Sequence, residues 1–83
     1  MGAEIHMQTQ YLTRNFHLAT FLTARSHRLL RLEGERGSRI FVFANVDPSE
    51  VDAFHANTAV PVKTLLQASR ELKARLRDDE VSR

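Results

Sequence analysis

The sequence predicts an α+β fold, a small antiparallel sheet packed against helices. Three observations predict it. Apolar residues recur at helical spacing over 16–25 and 62–76. Between these stretches, residues 27–45 hold two strand-like runs around a glycine turn. And 83 residues without cysteine leave room for one small domain, with no disulfide framework to stand in for a core. The expected sheet is a hairpin over about 27–45 plus an N-terminal strand over about 8–13, and the expected helices cover about 15–26, 48–56 and 61–77.

The elements follow in order. Gln8 to Thr13 alternates weakly, with Tyr11 facing inward. Thr13 or Asn15 then caps a helix by accepting a hydrogen bond from a free first-turn amide. On that helix Leu18, Phe21 and Leu22 share a face widened by Phe16 and Ala19, while His17, Thr20 and Ala24 lie opposite. Ser26 ends it. Strands run from His27 to Glu35 and from Arg39 to Asn45, with Glu35-Arg36-Gly37-Ser38 as the turn. The second strand is apolar on both faces: Phe41 and Phe43 point one way, Ile40, Val42 and Ala44 the other. Such a strand needs cover on both sides, from the N-terminal strand, a second helix or another subunit. In Asp47-Pro48-Ser49-Glu50, Asp47 caps, Pro48 fits the first helical position and Glu50 completes a capping box. Asn57 closes that helix. Pro61 opens the last one, whose buried stripe is Val62, Leu65, Leu66, Ser69, Leu72 and Leu76. The expected core is Leu18, Phe21, Leu22, Leu30, Phe41, Phe43, Leu65, Leu72 and Leu76.

The termini carry less weight. His6-Met7 reads as the junction of a vector with a natural start at Met7, so residues 1–6 are taken as vector-derived. Residues 7–77 form the domain, and the acidic tail 78–83 is expected to fray. No apolar run approaches a membrane span and no signal peptide is visible, so the expected location is the cytoplasm, with no membrane partner.

Catalytic chemistry has little support. The histidines His6, His17, His27 and His55 form no HExxH or His-x-His pair and sit in no close carboxylate cluster along the chain. No nucleophile elbow or phosphate loop occurs. No cofactor or metal is expected, and the chain is read as a non-enzyme. An enzyme using His27 or His55 is the least favoured reading.

Charge is more suggestive. The net charge is +2, but residues 1–45 carry +3 and residues 46–83 carry −1. Arg28, Arg31, Arg36 and Arg39 cluster on the hairpin, and Lys63, Arg70 and Arg77 recur every seven residues along one line of the last helix. Together they predict a phosphate-tracking surface for nucleic acid, or a face for an acidic protein. The plainer reading is a solvated helix face, with Glu71 paired to Arg75, and edge-strand charges that prevent aggregation.

The stretch Thr13-Arg14-Asn15-Phe16-His17-Leu18-Ala19-Thr20-Phe21-Leu22, then His27-Arg28-Leu29-Leu30, Ile40-Phe41-Val42-Phe43 and Glu71-Leu72-Lys73 resemble a domain-of-unknown-function family of small bacterial and phage proteins. The resemblance spans roughly residues 9–77. Its strongest part is the helix opening T-x-N-x-x-L-A-x-x-L. It implies a compact α+β domain in a mobile-element setting and supplies no catalytic residues. It also implies glycine just after the first helix, where this chain has Ser26. The functional expectation is a non-enzymatic binding or adaptor module that self-associates, as a homodimer. The alternative is a nucleic-acid-binding accessory protein using the basic hairpin and helix face.

Overall fold

The computed structural model describes residues 10–81. The elements are β1 (Gln10–Thr13), α1 (Phe16–Ala24), β2 (Leu29–Glu33), β3 (Ile40–Ala44), α2 (Pro48–His55) and α3 (Val62–Val81). The class is α+β, as expected. Residues 1–6 and the start of the expected first strand at Gln8 and Thr9 lie outside the described residues.

The sheet is antiparallel, in the order β1-β3-β2. The most apolar strand takes the centre because only there do neighbours cover both its edges. Phe41 and Phe43 face the helices and are joined by Tyr11, Leu29 and Leu32. Leu30 is a correction to the expected core. A bulge between Leu29 and Arg31 sets Leu29 opposite Phe43 and Arg31 opposite Val42, leaving Leu30 as the extra residue. The bulge lets Leu29 and Leu32, three apart, share the inner face.

The outer face of β3 is covered at its centre, while Ile40 and Ala44 at its ends are half-buried. Val42 is fully buried, flanked in register by Leu12 and Arg31. The Arg31 guanidinium reaches across β3, its Nη2 donating to Gln10 Oε1 at 3.0 Å, and its Nε donates to Glu33 Oε2 at 2.6 Å. The arginine stem thereby shields apolar surface while its head stays hydrated. Val42 is thus buried without a neighbouring subunit, and Leu12 beside it stays about half exposed.

Asn15 caps α1, its side chain accepting from the backbone of His17 and Leu18 at 3.0 and 3.1 Å. Thr13 instead accepts from the Asn15 amide. Five consecutive residues, Leu18 to Leu22, are buried. At about 100° per residue five positions circle the helix, so α1 is enclosed on every side. That corrects Thr20, expected at the surface: it is buried, and its hydroxyl donates to the Phe16 carbonyl at 2.9 Å. The helix ends in a Schellman turn. Ser26 has φ 70°, and the His27 amide donates to the Leu22 carbonyl at 3.0 Å.

The 34–39 connection turns through Ser38, whose amide donates to the Glu35 carbonyl at 2.9 Å, with Gly37 at φ 84°. Gly34 has φ 87°, and a Cβ there would lie 2.7 Å from the Ser38 carbonyl oxygen, so this position excludes side chains twice over. Asp47 caps α2 by accepting from the Ser49 amide at 2.9 Å. Asn57, at φ 61°, closes it, and the Thr58 amide donates to the Ala53 carbonyl at 3.0 Å.

α3 departs from expectation at both ends. It runs to Val81, so Asp78, Asp79 and Glu80 are helical, not part of a frayed tail. At its start, Val62, Leu65 and Leu66 are 70%, 37% and 51% exposed, while Ala68 and Leu72 are buried. Lengths explain this. At about 1.5 Å per residue, a nine-residue α1 spans about 13 Å and cannot cover a twenty-residue helix of about 30 Å. Leu65 therefore leaves the expected core.

Candidate interaction surface

Three side-chain groupings bear on function. The first is the set of seven cations. Arg39 is a correction: it is buried, paired with Asp79 at 2.5 Å, and its Nη1 donates to the Gly34 carbonyl at 2.6 Å. Arg39 has the same parity as Phe41 and Phe43, so it falls on the helix-facing side of the sheet, where the last turns of α3 meet it. Arg31 stands on the outer face, held by Glu33 and Gln10. Arg28 and Arg36 are exposed at opposite ends of β2, about 20 Å apart by strand rise. The hairpin arginines are thus strung along an edge, not clustered. Lys63, Arg70 and Arg77 are exposed in a line on α3, about 140–180° around the helix from buried Leu72.

The second grouping is a clasp that pairwise motif reading misses. Glu50 does not complete a capping box. Its carboxylate accepts from Arg25 Nε and Nη2 at 3.0 and 2.8 Å and from His27 Nε2 at 3.0 Å. The Arg25 hydrogen bond, then that of His27, holds the Glu50 carboxyl at about 2, below its ordinary 4.5. Arg25 also lies 5.4 Å over the Phe21 ring. The clasp ties α2 to the turn between α1 and β2. A shallow hollow of about 260 Å³ beside His27 is lined by Thr23, Ser26, Glu71 and Arg75. It falls short of the roughly 300 Å³ at which small-molecule sites begin. The sequence places no carboxylate near His27. The fold supplies one, from a residue 23 positions away.

The third grouping is the exposed start of α3. Val62, Leu65 and Leu66 are exposed there, and Leu65 lines a hollow of about 240 Å³ between α1, α2 and α3. Phe21 and Phe54, tilted against each other at 5.6 Å, Val60 and Leu65 supply its apolar wall, and His17 stands at its rim. From the middle of α2 to Arg70 the chain carries charge of one sign, before Glu71. Residues 53–70 contain no acid, and Lys63 and Arg70 are exposed there. Leu66 and Arg70 follow Val62 at successive four-residue steps, so an apolar row on the helix surface ends in a cation.

Among the described residues, no group of three or more His, Cys, Asp or Glu is arranged to hold a metal ion, and no helix is long and apolar enough to cross a membrane. Compared with family models, curated proteins and solved structures, the chain matches none.

Proposed function

We propose that the protein is a non-enzymatic binding or adaptor module whose contact surface is the N-terminal half of α3 with the hollow beside it. One observation carries this reading. Val62 and Leu66 are more than half exposed on a helix that buries Ala68 and Leu72 one or two turns later. Apolar side chains held clear of the core on a rigid helix are a surface for a macromolecular partner. The structural use of Glu50, held by Arg25 and His27, favours binding over catalysis.

The test is Leu66→Glu with Val62→Ser, followed by thermal melting and sedimentation velocity. A contact surface tolerates both substitutions within about 0.5 kcal/mol, the usual range for surface positions. A loss of about 2 kcal/mol or more would place these residues in the folded core and sink the reading. Sedimentation also decides the self-association expected from sequence. A dimer running through this surface reverts to monomer in the Leu66→Glu protein, whereas a wild-type monomer assigns the surface to another molecule.

A second reading, nucleic-acid binding, has its own observation: Lys63, Arg70 and Arg77 are exposed along one line of α3. Its test is the salt dependence of DNA affinity.

A further inference from the structure

Resting on the binding-module reading, we propose that the occupant of the α3 surface is an acidic amphipathic helix of another protein. The hollow offers an apolar wall of Phe21, Phe54, Val60 and Leu65, and Val62 and Leu66 stand exposed within one turn of Leu65 on α3. A partner helix fills such a groove with apolar side chains at i, i+3, i+4 and i+7. The flanks of that helix then face Lys63 and Arg70 with no acid of this chain between positions 53 and 70 to neutralise them. Carboxylates at the flanks satisfy both cations, and ammonium groups there are repelled.

The same charges disfavour a second copy. An antiparallel α3–α3 contact centred between Leu66 and Gln67 sets Lys63 at the same height as Arg70 of the second copy. The two-fold axis puts both on the same side of the contact. Like charges face each other twice, and no acidic residue of either surface relieves them. Nucleic acid fits the apolar part poorly, because Val62, Leu65 and Leu66 offer no aromatic stacking platform.

The experiment titrates the isotopically labelled full chain with a synthetic helical peptide bearing leucine at i, i+3, i+4 and i+7 and glutamate on the flanking positions. A control peptide carries lysine in place of every glutamate. The expected result is saturable binding of the glutamate peptide with shifts confined to α3, Phe21 and Phe54. The lysine peptide binds at least about tenfold more weakly, a gap of about 1.4 kcal/mol. The double variant Lys63→Glu with Arg70→Glu reverses that preference, and Leu66→Glu weakens the glutamate peptide by a similar factor while keeping the wild-type melt. Since Leu66→Glu adds an acid, Leu66→Ser separates lost contact from added repulsion.

Equal binding of both peptides overturns the acidic partner. So does wild-type dimerisation that Leu66→Ser abolishes, or binding to anionic vesicles with none to the peptide. In the first two outcomes the surface still binds through Leu66 and the module reading stands. If no probe binds and Leu66 substitutions change nothing, both fall.

Discussion

Ser26 sits at φ 70°, where a Cβ costs a non-glycine residue about 1–2 kcal/mol, and its side chain is exposed with no packing to lose. Ser26→Gly is therefore expected to stabilise the chain by about 0.5–1 kcal/mol, the gain being trimmed by glycine's greater freedom when unfolded. A denaturant midpoint that falls instead would show that the Schellman turn is not formed in solution. Glu50 yields a pH prediction. Its folded carboxyl lies at about 2 against an ordinary 4.5, held there by Arg25 and then His27. A depressed carboxylate contributes stability that is present above about 4.5 and is lost as pH falls from there toward 2. In Glu50→Gln that acid step should be missing, and its stability should change less between pH 5 and pH 2.5 than that of the wild type. The comparison is read from urea midpoints at each pH. Glu50 also shows how a local explanation can hide a distant one. The capping box accounted for a glutamate three residues after Asp47, so nothing in the sequence called for Arg25 or His27 as its partners. Arg25 is 25 positions away, and only the Schellman turn after α1 brings it and His27 to the same carboxylate.

At the scale of elements, boundaries set by local chemistry were readable and boundaries set by long-range pairing were not. Asn15, Asp47 and Asn57 do what their residue types and positions predict, because a cap bonds amides only two or three residues away. The antiparallel hairpin and the central place of Ile40–Ala44 follow from its doubly apolar pattern. The bulge at Leu30 does not, since one extra residue leaves no mark in composition and yet moves Leu32 to the inner face. The end of α3 at Val81 is hidden from local pattern for a similar reason. Asp78-Asp79-Glu80 looks like solvated tail until Arg39 is placed on the inner face by its parity with Phe41 and Phe43. The Arg39 side chain is 4% exposed and that of Asp79 28%. Removing the acid leaves a buried guanidinium uncompensated, so Asp79→Asn should cost about 3 kcal/mol, the lower end of the range for broken buried pairs. Arg39→Met with Asp79→Asn should recover part of that loss, because the apolar stem is kept and no charge is stranded. A double-mutant cycle by chemical denaturation reads both numbers, and an Asp79→Asn protein as stable as wild type would show the pair to be solvated.

At the scale of the whole molecule, the seven cations do not form one surface. α3 lies on the inner side of the sheet, where Leu72 and Leu76 join Phe41 and Phe43. Its line of Lys63, Arg70 and Arg77 points away from that core, while Arg31 stands on the outer face of the sheet beside Val42. The sheet and the core separate them. Arg39 is buried in its ion pair, and Arg28 and Arg36 stand at opposite ends of β2. A duplex approaching α3 therefore meets four exposed cations, the line of Lys63, Arg70 and Arg77 with Lys73 beside it, and one approaching the outer face meets fewer that are not already held by Glu33 or Gln10. Counterion release makes this countable. Seven converging cations would give a slope of log affinity against log salt of about −6, whereas contact through the α3 face alone, with Lys73 counted, gives about −3.6 at most. The expected measurement on duplex DNA is a slope no steeper than about −3.6 that becomes shallower by about 1 with each of Lys63→Ala, Arg70→Ala, Lys73→Ala and Arg77→Ala and is unmoved by Arg39→Met. A slope near −6 would mean that the basic residues converge after all, through a rearrangement that frees Arg39 from Asp79, and would make nucleic acid the leading partner. The shallow slope instead leaves the cations of α3 as electrostatic guides beside the apolar row of Val62 and Leu66, where a few charges suffice to select the sign of a partner without supplying its affinity.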